Sequence, residues 1–62
     1  MNELMINLLG AGYIYFPTNE ETASEAFTEF IETIEEAQIN IDNVLIQDVV
    51  LRDSDGNEID KI

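Results

Sequence analysis

Carboxylates are the reactive groups that this sequence supplies in quantity. Fourteen residues are Asp or Glu, against only Arg52 and Lys61, for a net charge of −12. Seven of the acids, Glu20, Glu21, Glu25, Glu29, Glu32, Glu35 and Glu36, fall in one stretch with no Lys or Arg between them. Paired carboxylates can run acid–base chemistry on a glycosidic bond, but that needs a cleft that raises one pKa and grips a sugar. A chain of 62 residues has no room for one. Nucleophilic catalysis lacks its usual parts, because there is no His or Cys. Ser24, Ser54 or a Thr would need some other base, and Lys61 sits next to the last residue. The expectation is a non-catalytic protein that carries no cofactor.

Metal binding is weakened by the same absences, since Cys and His are the commonest transition-metal ligands. Asp53-x-Asp55-Gly56-Asn57 resembles the opening of a calcium loop. An EF-hand, however, needs its glycine at the sixth position of the loop and a bidentate acid at the twelfth. Here Gly56 is at the fourth, and the twelfth would fall beyond Ile62. The segment reads instead as an Asp-Gly turn between two strands, and no metal is expected.

Binding is what remains. The charge excludes direct contact with DNA, RNA or anionic lipid, which need clustered Lys and Arg, and directs attraction toward basic surfaces. The spacing of the acids is informative. Glu21/Glu25, Glu25/Glu29, Glu29/Glu32 and Glu32/Glu36 are like-charge neighbours on a helix, each costing about 0.2–0.5 kcal/mol. A helix that merely needs solvation mixes Glu with Lys, so stability does not select this pattern. Along a helix, Glu20 to Glu36 spans about 24 Å. Its carboxylates then recur every ~3.5–4 Å, close to the ~3.4 Å axial spacing of phosphates along one DNA strand. A protein that grips phosphates would meet a similar potential here. The candidate partner-binding residues are Glu21, Glu25, Glu29, Glu32 and Glu36, with Asp53 and Asp55 as secondary contacts. Asp48, Glu58 and Asp60 could extend the field around the sheet edge.

These groups must be positioned by a single domain spanning residues 1–62. Thr18 and Glu21, preceded by Pro17, have capping-box spacing. Ala23, Ala26, Phe27, Phe30, Ile31, Ile34 and Ala37 then recur at helical steps, predicting a helix over 18–38 with one apolar face. Phe27 and Phe30 belong to the core in this reading rather than to an exposed docking stripe. Tyr13 to Phe16 is strand-like, and Pro17 stops the run. Residues 3–12 admit a hairpin turning at Gly10-Ala11-Gly12, one long strand bulged there, or a short helix capped by Gly10; the strand readings are preferred. Val44 to Arg52 reads as a strand whose alternation breaks at Gln47-Asp48. A bulge there would bring Val44, Ile46, Val49 and Leu51 to the core and leave Leu45 and Val50 facing away. After the turn at 53–57, Glu58 to Ile62 returns as an edge strand. The expected fold is α+β: a small two-layer βαββ domain, one amphipathic helix packed on an antiparallel sheet.

One helix covers one face of such a sheet. Tyr13, Tyr15, Leu45 and Val50, with Met5 and Leu9, are left as candidates for the other face, which makes a homodimer credible. No leader or membrane-spanning segment is evident, which points to the cytoplasm and to no membrane partner.

In size and charge the whole chain resembles the small acidic anti-defence proteins of phages and mobile elements, such as anti-CRISPR proteins and DNA-mimic inhibitors of restriction enzymes. The resemblance lies in a tiny, Cys-free, acidic chain with a glutamate-lined helix, without a matched motif. It implies a stoichiometric inhibitor that occupies the nucleic-acid groove of a basic nuclease, acting in the host cytoplasm. The alternative is a homo-oligomeric structural or regulatory module whose acidity only keeps it soluble and whose apolar sheet face does the binding.

Overall fold

Two largely apolar segments, Leu4-Met5-Ile6 and Tyr13-Ile14-Tyr15-Phe16, build the first half of the sheet. The computed structural model describes residues 1–37 and 45–62. β1 (Asn2–Leu8) and β2 (Gly12–Thr18) pair antiparallel, Leu4 facing Phe16 and Ile6 facing Ile14. The link between them is the hairpin among the alternatives for residues 3–12. It closes with the Ala11 N–H donating to the Leu8 carbonyl at 3.1 Å, and Gly10 and Gly12 hold φ of 77° and 93°, which residues with a Cβ rarely adopt.

β2 does not stop at Pro17. It continues to Thr18 and pairs Pro17 with Glu3. The proline is tolerated because the sheet order is β2-β1-β3-β4, which makes β2 an edge strand whose missing N–H need not break a ladder. β3 (Ile46–Arg52) lies against the other side of β1, and β4 (Glu58–Lys61) forms the opposite edge. The whole is a ββαββ two-layer α+β domain with all strand pairs antiparallel. The break in alternation at Gln47 is a bulge: the register steps from Asn7↔Asp48 to Leu8↔Ile46. Ile46, Val49 and Leu51 consequently pack with the core. Val44, expected beside them, and Gln38, expected to close the helix, lie outside the described residues.

The helix α1 (Ala23–Glu36) starts later than the sequence suggests. Thr22 and Glu25 form its cap, with the same spacing as Thr18 and Glu21 but four residues on. The Thr22 Oγ1 accepts from the Glu25 N–H at 3.2 Å and donates to Glu25 Oε1 at 2.9 Å. Thr18 cannot serve because it still belongs to β2, buried opposite Asn2. Its hydroxyl instead accepts the Glu20 N–H at 3.0 Å. Residues 19–22 are spent carrying the chain from the sheet edge to the helical layer.

Ala23, Ala26, Phe30 and Ile34 face the sheet and meet Leu4, Ile6, Val49 and Leu51. Phe30 is the centre of the aromatic packing, edge-on to Phe16 at 5.5 Å between centroids and stacked with Phe27 at 6.1 Å. Phe30 is 4% exposed and Phe27 is half-buried against the core, so neither presents a docking stripe. Phe30→Ala should cost about 3–5 kcal/mol. A domain of this length has only ~3–9 kcal/mol in total, so urea denaturation monitored by circular dichroism should find the variant largely unfolded or melting far below the parent.

Candidate binding surface

The outward side of α1 follows from the inward one. With Ala23, Ala26, Phe30 and Ile34 turned to the sheet, residues 25, 29, 32 and 36 fall at four- and three-residue steps on the far side. Glu25, Glu32, Glu35 and Glu36 are exposed and Glu29 is half-exposed. The helical part of the stripe is shorter than the sequence implies. Glu20 and Glu21 precede the helix, which covers about 21 Å at 1.5 Å per residue. Glu20 is nevertheless brought to it: with Ser24, Glu25, Thr28, Glu29 and Glu32 it lines a shallow open groove. Its carboxyl titrates above the usual 4.5, first through partial desolvation beside the helix and then through the nearby charges of Glu25 and Glu29.

Three acids serve the fold. Glu25 holds the helix cap. Asp60 sends its carboxylate to the first helical N–H, that of Ala23, at 2.6 Å, an anion at the positive end of the helix dipole. That bond, followed by the Lys61 N–H, lowers its pKa below 3.8. Asp53 organises the β3–β4 turn, its Oδ1 accepting the N–H groups of Asp55 and Asn57, each at 2.9 Å. Asn57 foremost, then Asp55 and Gly56, draw the Asp53 pKa below 3.8. The calcium-loop likeness of this segment is therefore Asp-Gly turn chemistry, with Gly56 at φ 87°. Among the described residues no group of three or more His, Cys, Asp or Glu is placed to hold a metal ion. Asp55 stays exposed on the turn, near the sheet end where Asn2 donates to the Glu20 carbonyl at 2.9 Å.

The open sheet face has a different chemistry. Register places Tyr15, Met5, Val50 and Lys61 in one row and Pro17, Glu3, Arg52 and Glu58 in the next. Both cations of the chain thus lie on the side away from the helix. Arg52 reaches across β1, donating to Glu3 Oε1 at 2.9 Å and lying over the Tyr15 ring at 5.8 Å. Tyr13 and Tyr15 are 55% and 53% exposed, while Val50 is only 8% exposed and lies between Met5 and Lys61 in its row. Leu45 is exposed beside Leu9, whose N–H donates to its carbonyl at 2.9 Å. The sequence reading missed Ile59, 46% exposed on β4, and the anchoring role of Asp60. The short Glu58–Lys61 strand offers too few residues for alternation to separate the two.

Among the described residues no helix is long and apolar enough to cross a membrane. No protein-family model matches the chain, and neither a curated protein nor a solved structure is significantly similar to it.

The three shifted acids set opposing pH responses. Glu20, with its folded pKa raised, is penalised when ionised, so stability is regained as pH falls through that raised value. Asp53 and Asp60, with folded pKa values lowered, contribute stability that is intact above 3.8 and lost as pH falls through their folded values. Thermal melts should therefore show a maximum at mildly acidic pH. Glu20→Gln should flatten the rise from neutrality, and Asp60→Asn should lower the neutral melting temperature and weaken the acid-side decline. Added salt at neutral pH should raise the melting temperature by screening the glutamates; a midpoint flat across salt would refute the repulsion.

Proposed function

We propose that this protein is a non-catalytic inhibitor that imitates nucleic-acid charge and blocks a basic DNA- or RNA-binding protein, such as a CRISPR or restriction nuclease. The observation that carries the reading is charge segregation. Every charge on the outward helix face is a carboxylate, while Arg52 and Lys61 lie on the opposite sheet face among Glu3, Asp48 and Glu58. An acidic surface that serves only solubility has no reason to keep its helix free of cations. A surface that docks in a phosphate-binding groove does, because a cation there would meet the partner's Lys and Arg at close range. Glu29, Glu32 and Glu36 are the central contacts, with Glu21, Glu20 and Asp55 extending the field past the helix start. Glu25 contributes its charge while holding the cap, and Asp53 is the weakest contact because the turn already uses its carboxylate.

The protein should displace labelled DNA or RNA from its target nuclease, with an affinity that falls steeply as salt rises. Glu29→Lys/Glu32→Lys/Glu36→Lys should weaken that competition by about 100-fold or more and leave the helical circular dichroism intact. Glu25 is spared so that the cap survives. A triple variant that competes as well as the parent would overturn the reading.

A further inference from the structure

We infer that the open sheet face is the interface of a two-fold homodimer, so that two copies stack sheet to sheet with both helices outward. The inference does not rest on the mimicry reading. Tyr13 and Tyr15 are each roughly half exposed there, around Met5 and Val50, with Ile59 exposed on the β4 edge beside them, an apolar cluster in the middle of a sheet face.

Charge identifies the occupant. Two chains of net charge −12 repel wherever carboxylates face each other, and a helix-to-helix approach would oppose two glutamate stripes. The open face alone carries cations. Among the described residues its ion pair is Arg52 with Glu3, while Lys61 and Asp48 have no ionic partner. A two-fold axis presents each copy's Lys61 and Asp48 to the same pair on the other copy, an isologous and self-complementary arrangement. With Arg52 and Lys61 set among Glu3, Asp48 and Glu58, this face is the closest to charge balance and therefore opposes a second copy least, while a basic protein is drawn to the helix face.

The longer dimensions of the molecule are 31 and 25 Å, so the contact would have to use most of the sheet face to reach the ~800 Å² per partner of a standard interface. Sheets stacked about 10 Å apart would interdigitate the tyrosines.

Sedimentation equilibrium of the full chain tests this directly. The expected result is a monomer–dimer equilibrium in the roughly micromolar range that tightens with added salt, because screening relieves the repulsion between two like-charged chains. Salt would act in the opposite sense on docking to a basic partner, so the two surfaces separate in one titration. Tyr13→Glu/Ile59→Glu should raise the dimer Kd at least about tenfold with the helical signal retained. Lys61→Glu should raise it about tenfold, and adding Asp48→Lys should restore it. Glu29→Lys/Glu32→Lys/Glu36→Lys should still dimerise, so failure of one idea leaves the other standing. A chain that stays monomeric at high concentration and high salt overturns the inference, as does a dimer whose Kd ignores Tyr13, Ile59 and Lys61.

Discussion

A single helix must cover a four-stranded sheet, and almost everything else in this protein follows from that shortage of material. The helix buries one sheet face through Ala23, Ala26, Phe30 and Ile34, and the described residues hold no second helix for the other. The two alanines let the helix backbone approach the sheet, and Phe30 fills the width between Phe16 and the β3 side chains. A core this thin cannot give up a large residue, which is why the aromatic residues of the helix are spent inward and those of β2 split. Phe16 goes to the core, while Tyr13 and Tyr15, of the opposite parity along β2, go to the open face.

With so little apolar burial, polar groups take over part of the positioning. Asp60 is the clearest instance: it joins the outermost strand to the first turn of the helix through the Ala23 N–H. β4 is the shortest strand and sits at an edge, so the bond secures both of the elements most exposed to fraying. Asn2 performs a similar task across the sheet by holding the Glu20 carbonyl. The acid-rich composition is therefore not uniform in role. Asp53 and Asp60 satisfy backbone N–H groups that would otherwise be left without partners, and Glu25 accepts the Thr22 hydroxyl that caps its own N–H.

Much of this architecture is legible from residue order. The helical period of Ala23 to Ile34 and the broken alternation at Gln47 each have one physical solution, a helix with one apolar face and a bulge. The Asp53–Asn57 turn is equally explicit, because Gly56 must adopt a positive φ. The helix start is not, since Thr18/Glu21 and Thr22/Glu25 satisfy the same local rule. The choice between them is made by tertiary pairing, Thr18 being held in β2 opposite Asn2. Asp60 is illegible for the same reason: its bond to Ala23 joins residues far apart in sequence, and nothing local distinguishes it from Glu58 or Asp55. In the candidate surfaces, the glutamate stripe can be read from spacing alone, but its isolation from the cations cannot. That emerges only when the sheet register sends Arg52 and Lys61 to the far face.

The placement of those two cations bears on why the acids are there. A helix gains from basic residues in its last turn, where they complement the negative carbonyl end of the dipole. Here the last turn holds Glu35 and Glu36 and no base. Like-charge neighbours along the stripe add a further cost. Moving a single lysine from β4 to the helix would ease both, and the sheet face would still accept a polar residue at its edge. The chain instead keeps its cations where they touch Tyr15 and Glu3 or border Val50. The open sheet face therefore blends both kinds of charge, Arg52 and Lys61 among Glu3, Asp48 and Glu58, while the helix keeps acids alone and bears the cost of their repulsion.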